Sequence, residues 1–303
     1  MFVDPVRRKS TLAALALAAI TCQAPTTDPN AAPDAGPAAT QVPVEAVDFE
    51  KHERQVFSQF GEDGVIEKIF EIIEPTEKYA VEFGAHNGVA ASNVRNLIVN
   101  HGWGSFQIEG SEPLARQLRK NYLDYPKVKT QQAWVWPGNV EILFEEAGVP
   151  KDLDLLVIDI DSNDYYVWRA LHDFRPKVVM VEINAGFPPP QLMVIDFHPM
   201  NYWDGRDYAG ASLQSYHELA KRKGYELVYH MSSGVNALFV DAKYYPLFGI
   251  EDNSPTKLFR PATEWAEMFD TSPQGRDGVP FDEDNRYLTW KDLKIEKKFI
   301  FTR

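Results

Sequence analysis

The chain has 303 residues, 44% of them hydrophobic and 25% charged, enough apolar material for one large or two smaller globular domains. A formal net charge of -13 offers no basic face to a phosphate backbone, so nucleic acid is not an expected partner. The single cysteine, Cys22, rules out an internal disulfide and a cysteine metal cluster.

Taken in chain order, Arg7, Arg8 and Lys9 precede an apolar run from Leu12 to Ile20, the order of a secretory signal. The run is shorter than the roughly 18 residues of a spanning helix. A cysteine directly after it resembles a bacterial lipoprotein signal, with residues 1–22 as signal peptide and Cys22 as the lipidated residue. Ala19 and Thr21 depart from that pattern. A misassigned start or a disordered arm is the other reading. Residues 23–48 are Ala, Pro, Thr, Asp and Gly with few large apolar side chains, a composition that cannot repay its ordering entropy and reads as a disordered linker. Membrane attachment is expected only through a lipidated N-terminus. A real signal implies the bacterial cell envelope, as a lipoprotein or periplasmic protein; otherwise the chain is cytoplasmic.

Over residues 49–245, short apolar runs alternate with amphipathic stretches, which argues for a parallel sheet covered on both faces. Val65, Ile66, Ile69, Phe70 and Ile73 lie at helical spacing, and Pro75 stops that helix. A strand is expected at 79–83, a glycine turn at 84–88, a helix at 92–100 and a strand at 105–109. A helix opened by Pro113, a short strand at 128–133 and a helix at 139–147 follow. The run from Asp154 to Asp161 is continuous in apolar residues, as for a strand buried on both faces. A helix at 165–173, a strand at 178–183, a helix at 212–223 and two strands at 226–230 and 235–240 complete the pattern. The last two are close enough to pair antiparallel through Ser232-Ser233-Gly234. The expected fold is α/β: a doubly wound, mostly parallel seven-stranded Rossmann-like sheet with an antiparallel C-terminal hairpin. Residues 246–303 are expected to be an extension packed on it.

Glu82-Phe83-Gly84-Ala85-His86-Asn87-Gly88 carries the spacing E-x-G-x-x-x-G at a strand end. Glycines there let the backbone turn and approach a ligand, while the carboxylate accepts from ligand donors; a purely geometric turn is the plainer reading. Glu109 ends the next strand, where nucleotide-binding α/β domains place an acid on the ribose. From Phe57 to Asp241 the chain resembles the class I S-adenosylmethionine-dependent methyltransferases, specifically the FkbM-like group. The residues that carry this are Ser58-Gln59-Phe60-Gly61-Glu62-Asp63-Gly64, residues 81–88, Ile108-Glu109-Gly110, residues 158–164, Gly210-Ala211-Ser212-Leu213, and residues 234–240. The resemblance implies that Glu82, Gly84, Ala85 and Gly88 cradle the methionine part of S-adenosylmethionine and that Glu109 binds the ribose. It further implies that Ala133 and Trp134 flank the adenine and that Asp159 lies at the transfer site. Ser162 and Leu238 depart from the common Gly and Phe.

The implied activity is methyl transfer to a hydroxyl of a small molecule or glycan, with Asp159, Asp161 and His86 as catalytic candidates. An exported, membrane-tethered binding protein with an inactive methyltransferase fold is the alternative. Asp159, Asp161, Asp164, Glu182 and Asn184 are a density of oxygen ligands suited to a divalent cation such as magnesium or calcium. Catechol-type methyltransferases use a comparable set. Helix capping and cofactor binding by these acids is the reading preferred from sequence, so no metal is assigned. His86 and His198 are candidate bases. Phe187, Phe197, Tyr202, Trp203 and Tyr208 either line an acceptor pocket or pack the core. Replacing Cys22 with Ser is expected to move the protein from the membrane to the soluble fraction; unchanged fractionation rules the anchor out.

Overall fold

In a computed structural model of the chain, the structure describes residues 45–199, 201 and 209–262. The signal, most of the linker, Tyr202, Trp203, Tyr208 and the extension beyond residue 262 lie outside them. A 3-10 turn at Phe49–His52 leads to α1 (Glu62–Ile73), β1 (Tyr79–Phe83), α2 (Arg95–His101), β2 (Gly104–Glu109), α3 (Glu112–Asn121), β3 (Val128–Gln132) and α4 (Val140–Ala147). Then come β4 (Leu155–Ile158), α5 (Asp164–Ala170), β5 (Val178–Glu182), α6 (Leu213–Lys223), β6 (Tyr225–His230) and β7 (Asn236–Asp241). A 3-10 turn at Tyr245–Phe248 and the short α7 (Pro255–Leu258) follow.

The seven strands form one sheet in the order β3-β2-β1-β4-β5-β7-β6. The first five run parallel, and β7 is antiparallel to both β5 and β6. The expected hairpin therefore forms with its second strand inserted beside β5, leaving β6 at the edge. The order of connection reverses between β1 and β4, with β2 and β3 on one side and β5 on the other, so the loops after these two parallel strands diverge and open a crevice at their C-terminal ends.

Period-two alternation divides the core. Val81, Phe83, Leu156, Ile158, Val179 and Val181 face α4, α5 and α6, where Phe144, Trp168 and Tyr216 are fully buried rings. Ala80, Leu155, Val157, Val178 and Met180 face α1 and α2 through Val65, Ile69, Leu97 and Ile98. Pro113 sits at the second helical position of α3 rather than the first, because Ser111 is the cap and Glu112 the first residue. The apolar run at 154–161 also yields a shorter strand than expected. Beyond Ile158 the chain leaves the sheet, with the Ile160 N–H donated to Asp164 Oδ1 at 2.8 Å and Asp161 held at φ +58°.

The opposite end of the sheet is closed by Asp154, fully buried before β4. It pairs with Lys177 Nζ at 3.0 Å and accepts the N–H groups of Thr76 and Glu77 at 2.8 and 2.9 Å. Removing one partner of a buried ion pair leaves the other charge uncompensated. Asp154→Ala is expected to lower stability by about 3–5 kcal/mol, read as a fall in Tm of about 10 °C; a fall of only a degree or two in a thermal melt would contradict this.

Candidate functional site

The crevice is shaped first by Gly84. Its φ is +69°, and a Cβ there would lie 1.7 Å from the Asp159 carbonyl oxygen, so only glycine lets the β1 and β4 exits pass this close. The following loop is pinned from below. Glu82, 2% exposed, accepts from Ser92 Oγ at 2.8 Å and from the Asn93 N–H at 2.7 Å. Asn87 Oδ1 accepts the N–H groups of Val89 and Ala90, both at 2.9 Å. The Gly88 carbonyl accepts from Arg95 and from the Tyr122 hydroxyl, both at 2.8 Å, which ties the loop to α2 and α3. Glu109, at the end of β2, accepts the His86 N–H at 2.9 Å and the Ser111 N–H at 2.7 Å. The acid thus holds His86 at φ +48°, a left-handed conformation unusual for a side-chain-bearing residue.

Two cavities open above these loops. One, of about 260 Å³, is lined by Glu109, Gly110, Trp134, Asn163 and Asn201 among others. Trp134 is 52% exposed, and its indole lies over Gly110, where a Cβ would come within 3.1 Å of the ring. The other, of about 340 Å³, is lined by Asn93, Glu182, Asn184 and Asn236 with Gln59 and Phe60 from before α1. Gly84, His86, Asp159 and Asp161 line both. The two spaces therefore meet at the β1 and β4 exits.

Acidic groups crowd this junction. One carboxylate oxygen from each of Asp159, Asp161 and Glu182 lies within 4.8 Å of the others. Burial holds Asp159 and Glu182 well above the usual carboxylate range, and the neighbouring acids push them further. Asp161 is raised by burial and then by Glu109. Asp164 is different: it accepts the N–H groups of Ile160 and Ser162, both at 2.8 Å, yet burial pushes it up to about 7. Glu82 is likewise pushed up to about 7, because burial outweighs its hydrogen bonds. Glu62, raised by burial, accepts from Asn236 Nδ2 at 2.8 Å and joins α1 to β7.

The structure therefore brings Gly84, His86, Glu109, Trp134, Asp159 and Asp161 to the cavities and leaves three candidates beneath them. Glu82 spends both carboxylate oxygens on the loop. Ala85, 1% exposed, donates its N–H to the Ile108 carbonyl. Gly88 packs on α3, where a Cβ would meet Leu118 and Tyr122 at 2.5 Å. Within the oxygen-rich set, Asp164 serves its own loop, and Asn184 anchors the chain after β5 by donating to the Ala209 carbonyl and accepting the Gly186 N–H, both at 3.0 Å. His198 is exposed and lines neither cavity; Phe187 is buried with Met193 and Ile195, and Phe197 packs on Tyr166. Sequence reasoning gave no role to Asn93 or Asn236. Asn236 lies in the 234–240 run that carries the resemblance, and the pairing of β7 with β5 sets it opposite Glu182.

No family model matches the chain, and no curated protein matches it. Among solved structures it is similar to the N-terminal domain of EvdMO1, crystallised with SAH, at 15% identity over 59% of this chain and 80% of that one, TM-score 0.40. It is also similar to an S-adenosylmethionine-dependent methyltransferase from Clostridium acetobutylicum, at 13% identity over 64% of this chain and 92% of that one, TM-score 0.39. A third is the CcbJ methyltransferase from Streptomyces caelestis, at 12% identity over 63% of this chain and all of that one, TM-score 0.37.

The raised acids set a pH dependence. Folded, Glu82 keeps its proton up to about pH 7, whereas the unfolded chain releases it above the ordinary carboxylate range. The folded state therefore binds more protons in between, and stability falls as pH rises from about 5 to about 7. Glu82→Gln, which cannot ionise, is expected to flatten this slope by up to about 1.4 kcal/mol per pH unit. Urea midpoints across that range check it, and an unchanged slope would contradict the assignment.

Proposed function

We propose that the chain is an S-adenosylmethionine-dependent methyltransferase acting on a hydroxyl of a small molecule or glycan. The observation that carries this reading is the pair of cavities meeting at one wall, over the switch point of the sheet. The space over Glu109 and Trp134 suits a nucleoside. Glu109 keeps lone pairs for two ribose hydroxyls beyond the N–H groups it accepts, and the exposed Trp134 ring offers a face to a base. Gly84 lets the β1 and β4 exits pass close together beneath this space, and Gly110 leaves room for the Trp134 ring.

When bound, S-adenosylmethionine supplies a methyl group on a sulfonium sulfur. The acceptor oxygen attacks that carbon in line; the O–C bond forms as the C–S bond breaks, and the electron pair remains on sulfur. His86, on the shared wall, takes the hydroxyl proton. Asp159 and Asp161, on the same wall, orient the acceptor by hydrogen bonding to its hydroxyl groups. The protein's main contribution is holding the two reactants in register and away from water. The acidic junction supports a polar, hydroxylated acceptor in the second cavity rather than an apolar one.

Calorimetric titration with S-adenosylhomocysteine tests the reading. Micromolar binding is expected. Glu109→Gln is expected to weaken it about tenfold or more, since a hydrogen bond to a charged group contributes about 1.5–3 kcal/mol. No binding by folded protein would overturn the proposal. With an acceptor in hand, His86→Asn, which tolerates the left-handed backbone, is expected to lower turnover by about 100-fold or more with little change in cofactor affinity.

A further inference from the structure

A separate cavity, of about 370 Å³, lies where α5 and α6 end and just before β5 begins, at the opposite end of the sheet from the crevice. It shares no lining residue with the two cavities described above. Its basic lining residues are Arg169, His172, Arg175, Arg222 and Lys223, and no Asp or Glu among the described residues lines it. A chain of net charge -13 thus concentrates positive charge in one concave place.

Part of that charge serves the fold. Cations suit the negative ends of helices, and Lys223 Nζ donates to the Leu171 carbonyl just past α5. Arg175 donates to the Lys223 and Gly224 carbonyls at the end of α6, at 3.0 and 3.2 Å, and its Nε donates to Asp241 Oδ2 at 2.7 Å. The guanidinium is closely seated, since a Cβ on Gly224 would come within 3.1 Å of Arg175 Nη2. These bonds use three of its five N–H groups and fix the plane that carries the other two.

More charge is present than these contacts use. Arg169 stacks 5.0 Å from the centroid of the Tyr166 ring and forms no ion pair among the described residues. Arg222 donates to the neutral Tyr165 hydroxyl at 3.2 Å. Burial, with Arg175 close by, holds the Lys223 ammonium below the ordinary lysine range, and Glu141 offsets this only in part. The floor is apolar, built from the buried Trp168, Leu171, Phe174 and Leu219, and a low-dielectric wall strengthens the field of the cations above it.

We propose that this cavity binds the phosphate group of a small soluble phosphomonoester, with the Arg175 fork, Arg169 and Lys223 as its donors and the apolar floor under its organic part. A phosphomonoester carries close to two negative charges at neutral pH and three acceptor oxygens, which matches several cations converging on one space; a carboxylate supplies a single charge. The site belongs to the chain whether or not it transfers methyl groups.

Calorimetric titration of the full chain with glycerol 3-phosphate at low salt tests the site. One molecule per chain is expected, with Kd below about 1 mM, and glycerol is expected not to bind. Inorganic phosphate is expected to bind more weakly; equal binding assigns the cavity to the free ion and overturns the organic ligand. Arg169→Gln and Arg175→Lys are each expected to weaken binding about tenfold or more, the second because lysine keeps the charge and loses the fork. Thermal melts of the same samples show that each variant is folded, and the exposed Arg169 remains informative if loss of the Arg175 fork unfolds the chain. Arg116→Gln, on the exposed surface of α3 and in none of the three cavities, is expected to leave binding unchanged. Excess S-adenosylhomocysteine is expected not to displace the ligand. Absence of binding, indifference to the cavity substitutions in folded protein, an equal loss with Arg116→Gln, or displacement by S-adenosylhomocysteine overturns the proposal.

Discussion

The structure turns on the burial of many carboxylates at one end of a parallel sheet. Charged oxygens leave water only when donors or cations replace it, and the fold meets that condition unevenly. Glu82, Glu109 and Asp164 receive backbone N–H groups, and in exchange they determine where the loops after β1, β2 and β4 run. Among the described residues Asp159, Asp161 and Glu182 receive none, and all three line the larger cavity. The division separates acids that build the crevice from acids left to meet a ligand.

The loop conformations follow from that constraint. Glu109 accepts the His86 N–H and so holds His86 in a left-handed conformation, while Asp161 adopts a similar backbone just past β4. Side-chain-bearing residues persist there only when their surroundings over-determine them, and both residues line the shared wall of the two cavities. Gly84 lets the two loops pass at a distance that any Cβ would prohibit. Hydrogen bonds to buried acids therefore hold the loops of this junction beside the apolar packing of Ala85 and Gly88.

The remainder of the fold supplies support at a distance. Apolar residues alternate across both faces of β1, β4 and β5, and the buried Asp154 and Lys177 pair closes the far end of the sheet. Stability and chemistry thus occupy opposite ends of the same strands. Loops at the C-terminal end carry the costly, unpaired groups because the core and the far end hold the strands in place.

Much of the architecture was legible in the sequence, because periodicity reports burial directly. The continuous apolar run before Asp159, the alternation of helical and strand spacing and the Glu82 to Gly88 turn together determined a doubly wound sheet with a crevice at the strand ends. The Gly84 and Glu109 positions were legible for the same local reason. What tertiary structure decided was which acid faces what. Glu82 and Asp159 are both acids at strand ends, and nothing in their spacing tells that one is committed to Ser92 and Asn93 while the other stands open to two cavities. Nor does spacing pair Asn236 with Glu62 across 174 positions, insert β7 between β5 and β6, or release Asn184 to its loop. Those outcomes depend on donors brought together from distant parts of the chain, and hydrogen-bond competition among such groups is resolved only when the sheet and its loops have closed.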